Sequence, residues 1–214
     1  DNYTFYKKNM GIVYDYTIYR NKKNRNLDNF FKNLKINNLK SSIVKISNLY
    51  DEYAPRRCLM KMAGKIKINE NFLSIREVES EDINILYKWR NQISTLKNSR
   101  TPPPENFEIH KNWFQNKLNH KPFLFVILEL DERSVGVLRL EKLNKYKSRR
   151  YEISINVDEK FQNLGIAKNA IKLLTKITNG IILMAYVLDE NIISKKLFLN
   201  SGFVKLNKKW YLKK

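Results

Sequence analysis

The feature that most constrains the fold is a strand–turn–helix pattern between Tyr151 and Ala170. Apolar and polar residues alternate from Tyr151 to Val157, which predicts a half-buried strand. After a polar break, apolar residues recur with helical spacing at Ala167, Ile171, Leu174 and Ile177. A helix N-terminus offers N–H groups without intrahelical partners and a positive dipole end, so the turn at Gly165 can bind a phosphate. Ordinary turn chemistry at a single glycine stays an alternative.

Composition indicates a globular chain of 214 residues, long enough for one domain and a smaller element. The hydrophobic fraction of 43% is that of a folded protein. No apolar run reaches the length of a membrane span, and the first residues do not resemble a signal peptide. Cys58 is the sole cysteine, so we expect no disulfide within the chain, no metal site and a reducing, cytoplasmic location.

The formal net charge of +20 comes mainly from lysines that are spread along the chain. Without a clustered basic stripe, nucleic acid is not the expected partner, and no membrane partner is expected either. A positive potential would attract an anionic cofactor and an anionic substrate. A basic nucleic-acid-binding module with a degenerate site remains the non-enzyme alternative.

The rest of the chain predicts a mixed α/β fold, a central sheet flanked by helices, from about residue 67 onward. Residues 1–66 read as a small, mostly helical N-terminal segment with one strand near 12–16 and helices near 27–36, 39–50 and 54–63. Lys65–Ile68 reads as a linker. Beyond it, the expected strands are 72–78, 122–130, 135–141, 151–157, 181–187, 203–206 and 209–212. The first expected helix begins at the N-cap Ser80, and three further helices are expected at 107–118, 167–177 and 191–200.

Four motifs on these elements resemble the GNAT superfamily of N-acetyltransferases. They are Gln162-x-x-Gly165-x-Ala167 after the strand, Gly136 in the hairpin strand, Asn191-x-x-Ser194 and Leu197-Phe198-x-x-x-Gly202-Phe203. The resemblance implies a GNAT fold with a splayed sheet, acetyl-CoA as cofactor and direct acetyl transfer to an amine. The cofactor-binding residues that it implies are Ile155, Asn156, Val157, Gln162, Asn163, Leu164, Gly165, Ile166, Ala167, Lys168, Asn191, Ser194 and Phe198.

Direct transfer needs a base to deprotonate the amine and donors for the developing oxyanion. The resemblance implies backbone N–H donors where the strand ends at Asn156 and Val157. Glu152 is the first candidate base because it should face opposite Ile153, although a solvated strand glutamate is the alternative. Asn191 could equally be a simple helix N-cap. Phe198 stands where many family members have a Tyr, so water would protonate the leaving thiolate.

Two motifs suggest the acceptor. Trp89-Arg90-Asn91 and His110-x-x-Trp113-Phe114 resemble acetyltransferases that act on amino-sugar nucleotides, notably at the 4-amino-sugar step of pseudaminic-acid synthesis. The resemblance implies substrate binding by Arg90, Asn91, Trp113 and Arg139, with His110 as a second catalytic candidate. Trp113 and Phe114 could instead be core residues. Ribosomal-protein N-terminal acetyltransferases share part of the pattern, so a protein N-terminus is the alternative acceptor.

The N-terminal segment carries one further resemblance. Asp51–Arg57 is similar to the acidic-glycine-arginine run that ends sugar-nucleotide hydrolases, some of which are fused to a GNAT domain. The resemblance implies a fusion to such a hydrolase domain, with residues 1–66 as its end and 67–214 as the acetyltransferase domain. A homodimer is the other expected assembly.

Overall fold

The computed structural model describes residues 63–119, 124–143, 149–178 and 181–213, together with one short strand pair nearer the N-terminus. That pair is β1 (Thr4–Phe5) with β2 (Tyr14–Asp15), and it is antiparallel. The strand expected near 12–16 therefore contains β2. The helices expected at 27–36, 39–50 and most of 54–63 lie outside the described residues.

The remaining strands form one sheet. They are β3 (Ile66–Ile68), β4 (Asn71–Glu77), β5 (Leu124–Leu130), β6 (Arg133–Lys142), β7 (Arg150–Val157), β8 (Ile182–Tyr186), β9 (Val204–Lys205) and β10 (Trp210–Lys213). The helices are α1 (Ile83–Arg90), α2 (Ile93–Asn98), α3 (Phe107–Asn119), α4 (Ile166–Ile177) and α5 (Ile192–Asn200). Single 3-10 turns lie at Ser80–Asp82 and Glu159–Phe161.

The strand order is β3-β4-β5-β6-β7-β8-β10-β9. Neighbouring strands are antiparallel except for β7 and β8, which are parallel. A parallel pair needs a crossover connection, and α4 supplies it. The predicted mixed α/β class with a central sheet and flanking helices is confirmed.

Two apolar clusters lie on opposite faces of the sheet, because successive residues of a strand point to opposite sides. On one face, Tyr151 and Ile153 pack with α4 residues such as Leu174 in the larger cluster. On the other face, Trp89 of α1 and Phe114 of α3 pack on β5 in the smaller cluster. The alternation along β7 thus directs Glu152, Ser154 and Asn156 away from α4, as the sequence predicted for Glu152.

The structure corrects three expectations about the start of the domain. Lys65–Ile68 is not a linker, since Ile66–Ile68 forms the outermost strand β3, which turns into β4 at Asn69. The cap of the first helical turn is Glu79 rather than Ser80, and the Glu79 N–H donates to Asp82 at 2.8 Å. Helix α2 was not expected, because its six residues contain no buried side chain and hence no apolar stripe.

Among the helices in the described ranges, none has both the length and the apolar character that a membrane span needs.

Candidate active site

A gap opens in the middle of the sheet, between the two parallel strands. The β7–β8 pairing ends at Glu152 opposite Met184, whereas β7 continues to Val157 and β8 to Tyr186. The strands β7 and β8 therefore separate beyond this pair, as the resemblance implied. At the start of β7, the Arg150 carbonyl accepts from Leu143 on the β6 side, and the Arg149 carbonyl accepts from Ile182 on the β8 side. By this alternation, the N–H groups of Ile155 and Val157 point into the gap.

The expected pair of backbone N–H donors, at Asn156 and Val157, is therefore corrected to Ile155 and Val157. Asn156 lies opposite Val137 and directs its backbone toward β6, so its N–H is not available in the gap. Its side chain points to the helices instead, where Nδ2 donates to the Trp89 carbonyl at 3.2 Å and Oδ1 accepts from Thr95. Gly136, which faces this part of β7, leaves no space for a side chain, since a Cβ would lie 2.5 Å from the Asn156 carbonyl oxygen.

The turn after β7 presents the N-terminus of α4 at the mouth of the gap. Gly165 caps the helix with φ of 76°, and Asn163 has φ of 64°, so both have left-handed backbone. The first turn of α4, formed by Ile166, Ala167 and Lys168, has no acidic residue. Its N–H groups have no intrahelical partners, and the exposed Lys168 adds positive charge. Leu164 is 43% exposed beside them. This geometry fits a pyrophosphate.

A buried carboxylate fixes the turn against the helices of the opposite face. Asp158 is 6% exposed and accepts hydrogen bonds from Trp89 Nε1 at 2.9 Å, Gln92 Nε2 at 2.9 Å and the Lys160 N–H at 3.1 Å. Burial alone would raise the pKa of Asp158, but these hydrogen bonds outweigh it and lower the pKa below its ordinary value. Neither Asp158 nor Trp89 was among the expected site residues, although an Asp directly after a strand end was a readable signal.

Gln162, expected at the cofactor, uses its side chain within the protein. Its Nε2 donates to the Ser94 hydroxyl at 3.1 Å and to the Val157 carbonyl at 3.2 Å. The neighbouring Glu159 carboxylate accepts from the Ser94 N–H at 2.8 Å. Helix α2 is thereby attached to the turn, so Gln162 shapes the turn.

On the far side of the gap, Asn191 and Phe198 have structural partners. Asn191 is buried and caps α5, because its Oδ1 accepts from the Ser194 N–H at 2.9 Å. The helix-cap alternative thus holds for this side chain. Phe198 is 4% exposed and packs edge-to-face on Phe203, with ring centroids 5.0 Å apart. It belongs to the larger core and has no proton to donate.

Glu152 lies where β7 and β8 begin to separate, and its carboxylate has a partner that the sequence did not indicate. Arg100 Nη2 lies 3.3 Å from Glu152 Oε1. The Arg100 guanidinium also lies over the ring of Tyr186, 4.7 Å from its centroid. Tyr186 in turn meets Trp210 edge-to-face at 5.2 Å. The candidate base therefore sits beside a cation at the narrow end of the gap, where the strands are last paired.

Arg90 and Asn91, both expected to bind substrate, lie at the end of α1 and donate their side-chain hydrogen bonds within the protein. Arg90 donates to Ser99 Oγ at 2.6 Å, to the Thr101 carbonyl at 2.6 Å and to the Pro102 carbonyl at 2.8 Å. It thus holds the loop that carries Arg100. The Asn91 side chain donates to the Tyr87 carbonyl at 2.8 Å and caps α1.

The other expected acceptor residues do come together. Arg139 lies over the Trp113 ring at 5.4 Å from its centroid, and the His110 ring lies 5.4 Å from that of Trp113, tilted by 32°. His110 is 3% exposed, and its Nε2 is buried without a hydrogen-bond partner in the part of the chain that the structure describes, as is Arg139 Nε. Burial lowers the pKa of His110; a hydrogen bond with the Ile83 backbone opposes that shift, and the charge of Arg90 adds to it. His110 is therefore neutral at pH 7.

We call the surface formed by Arg100, Trp113, Arg139, Glu141, Glu152 and Tyr186 the acceptor face. Cross-strand pairing puts Arg139 opposite Ser154 and Glu141 opposite Glu152, so these side chains share one side of the sheet. Glu141 is contacted by both Lys117 and Arg139. The gap connects this face with the turn at Gly165.

Comparison with known proteins agrees with this geometry. The family model of the acetyltransferase (GNAT) domain matches residues 75–212. No match to a curated protein was found.

Solved structures share the fold. A domain from Methanocaldococcus jannaschii is 24% identical with a TM-score of 0.55, and the match covers 66% of this chain and 97% of that one. Mycobacterium smegmatis RimJ in complex with CoA-disulfide is 17% identical with a TM-score of 0.57, and the match covers 70% of this chain and 83% of that one. Spermidine N-acetyltransferase from Vibrio cholerae in complex with CoA and spermine is 19% identical with a TM-score of 0.55, and the match covers 65% of this chain and 91% of that one.

The chain belongs to the GNAT acetyltransferase family. It is an N-acetyltransferase that uses acetyl-CoA, and its splayed strands and left-handed Gly165 turn fit that cofactor.

Proposed function

We propose that the acceptor is the primary amine of a nucleotide-linked amino-deoxy sugar. The observation that carries this proposal is the combination of cationic and aromatic side chains around Glu152. Two guanidinium groups, those of Arg100 and Arg139, lie over the rings of Tyr186 and Trp113. Guanidinium groups bind phosphates, and aromatic rings pack on the flat faces of bases and sugars.

The charge of this region favours an anionic acceptor over a polyamine. Five cationic side chains of the described residues lie on or beside the acceptor face: Arg90, Arg100, Lys117, Arg139 and Lys209. Two carboxylates face them, and each already has a cationic partner: Glu141 and Glu152. A polycation would meet net repulsion here, whereas a diphosphate would be attracted.

The chain's own residues supply the remaining chemistry. Acetyl-CoA, when bound, supplies the acetyl group as a thioester. Glu152 accepts the proton that the acceptor ammonium must lose before it can attack. The N–H groups of Ile155 and Val157 point into the gap and would donate to the thioester oxygen as its charge develops. The departing thiolate takes its proton from solvent, because Phe198 has none to give.

We assign Trp113 and His110 to the platform that receives the acceptor. Neutral His110 is enclosed by Tyr87 and Phe107 as well as by Trp113 and Phe114. Its buried Nε2 makes it a poor route for protons from solvent, so proton transfer is assigned to Glu152. The turn residues 162–168 would hold the pyrophosphate through backbone N–H groups.

Release of free thiol from acetyl-CoA tests the acceptor. We expect turnover with a nucleotide-linked 4-amino sugar and much slower turnover with spermidine or with a peptide bearing a free N-terminus. Faster turnover with the peptide would support a protein N-terminal acetyltransferase instead. Faster turnover with spermidine would contradict the charge argument.

Glu152→Gln tests the base. We expect kcat to fall by about 10²- to 10⁴-fold, because the amide cannot accept the proton. Acetyl-CoA binding, measured by calorimetry, should be unchanged. Glu70→Gln is the control, since Glu70 is an exposed carboxylate in the β3–β4 turn, paired only with Lys67 among the described residues. An unchanged kcat in Glu152→Gln would remove Glu152 from the mechanism.

A further inference from the structure

We propose that Arg100 determines acceptor specificity: it occupies the Glu152 carboxylate until an anionic group of the acceptor draws it away. The proposal rests on the proposed function, since it assumes an acceptor that carries a phosphate near its amine. The acceptor's own charge would then make the base available. No sequence motif pointed to Arg100, and its assignment comes from geometry alone.

Arg100 bridges the two strands at the point where they part. Its guanidinium lies 3.3 Å from Glu152 on β7 and 4.7 Å from the ring centroid of Tyr186 on β8. Glu152 is the last β7 residue that pairs with β8, and Tyr186 lies beyond the last paired residue of β8. Arg100 therefore lies across the acceptor side of the gap.

The fold holds Arg100 in this place through its backbone. Arg90 donates hydrogen bonds to Ser99 on one side of Arg100 and to Thr101 and Pro102 on the other. Ser99 Oγ also donates to the Thr95 carbonyl at 2.7 Å, which ties the loop to α2. The contact between Arg100 and Glu152 is thus anchored from both flanks.

The acceptor amine must use the carboxylate that Arg100 occupies. An arriving ammonium group would compete with a guanidinium of like charge for Glu152 Oε1. Exposure indicates which partner moves: the Arg100 side chain is 50% exposed, whereas that of Glu152 is 18% exposed. Arg100 can swing toward solvent, and Glu152 is held on its strand.

A phosphate on the acceptor supplies the partner that moves Arg100. Guanidinium binds phosphate through two parallel, charge-assisted hydrogen bonds, which exceed a single contact to one carboxylate oxygen. Once Arg100 turns to the phosphate, the ammonium passes one proton to Glu152. The N–C bond then forms as the C–S bond breaks. The acylated nitrogen releases its second proton to solvent, and the thiolate gains a proton from solvent. A polyamine offers Arg100 no such partner.

The experiment compares two acceptors in two proteins. The acceptors are a nucleotide-linked 4-amino sugar and the same amino sugar released from its nucleotide. We expect the wild type to prefer the former in kcat/KM, and Arg100→Gln to reduce that preference by about tenfold to a hundredfold, the range of one charged hydrogen bond. Arg100→Lys, which keeps the charge without the planar fork, should fall between the two.

Lys67→Gln is the matched control, because Lys67 is another exposed cation with a carboxylate partner, on the outermost strand. It should leave the preference unchanged. An Arg100→Gln protein that keeps the full wild-type preference would overturn the proposal. So would an equal loss for both acceptors, which would indicate a purely structural role.

A second readout does not depend on activity. In NMR titration with inorganic pyrophosphate, the Nε–Hε signal of Arg100, assigned by its loss in Arg100→Gln, should shift saturably in the wild type and in Lys67→Gln. A signal that stays in place would overturn the proposal. If neither sugar is acetylated but the signal shifts, the proposed function fails while anion binding by Arg100 stands.

Discussion

The turn that precedes α4 and the acceptor face differ in how completely their polar groups are used. At the turn, Asp158 accepts three hydrogen bonds and Gln162 donates two, to partners within the turn and on the helices over it. At the acceptor face, Arg139 Nε is buried and Arg100 is half exposed, and His110 Nε2 is buried beside Trp113; neither buried nitrogen has a hydrogen-bond partner among the described residues. The polar side chains of the turn are satisfied before any ligand binds and leave only backbone N–H groups of α4 for a ligand, whereas the other region keeps polar side-chain atoms unused.

This difference separates the common part of the reaction from the specific part. Cofactor binding through backbone N–H groups, as proposed for this turn, needs a fixed backbone, and the Asp158 hydrogen bonds hold the backbone in place. Recognition of a particular acceptor needs side chains whose hydrogen-bonding capacity is still free, because an unpaired buried group discriminates strongly between ligands that satisfy it and those that do not.

The strongest test of the fixed turn is Gly165→Trp. We expect acetyl-CoA affinity to fall by more than about a hundredfold, since a bulky side chain at a left-handed position would displace the backbone N–H groups. Calorimetry measures the affinity. Gly64→Trp is the matched control, because Gly64 also has a left-handed φ of 68°, with open space around it. Equal affinity in the two variants would contradict the assignment of the turn.

The buried carboxylate gives the next largest effect. Asp158→Asn should lower the free energy of unfolding by about 1–3 kcal/mol, because the amide replaces an acceptor of several hydrogen bonds with a group that is partly a donor. Urea unfolding at pH 7 measures the loss. Asp189→Asn is the control, since the partners of Asp189 are surface lysines and such pairs contribute little.

The pH dependence of the stability gives a second test of the role of Asp158. The pKa of Asp158 in the folded protein lies below its ordinary value of 3.8, because hydrogen bonds from Gln92 and Trp89 outweigh the effect of burial. Its ionised form therefore stabilises the fold above pH 3.8, and that contribution is lost as the pH falls through the folded pKa. The stability difference between wild type and Asp158→Asn should narrow over that range. A difference that widens toward acid would contradict the assignment.

The smallest effect tests the buried ring beside the acceptor face, that of His110, which lies next to Trp113. Burial lowers its pKa below the ordinary 6.5, so the unfolded chain binds a proton at a pH where the folded protein does not. Stability should therefore decline as the pH falls from 7 through 6.5, by at most about 1.4 kcal/mol per pH unit. His110→Phe should lack this part of the decline in thermal unfolding. Parallel pH profiles for the two proteins would place His110 in a more hydrated site.

The sequence predicted the frame of the domain because apolar periodicity reports burial directly. The alternation from Tyr151 to Val157 located β7 and the outward face of Glu152, and Gly165 located the turn. Strand β3 was missed because three residues are too few to show a pattern.

Contacts between residues that are far apart in the sequence could not be predicted in the same way. Arg100 reaches Glu152 only because α1, α2 and the loop after them fold back over the sheet. The direction of the N–H groups at Ile155 and Val157 needed the strand register, which alternation alone does not give.

The parting of β7 from β8 has a consequence for the chain before any ligand arrives. It creates the edge of a β-sheet inside the sheet, with unpaired N–H and C=O groups that could pair with a strand from another molecule. The exposed length is short, from Ile153 to Val157. Arg100 crosses one end of it, and the Gln162 side chain caps the Val157 carbonyl at the other. Side chains of the site thus cover both ends of this short edge, which leaves little room for a strand from another molecule to pair with it.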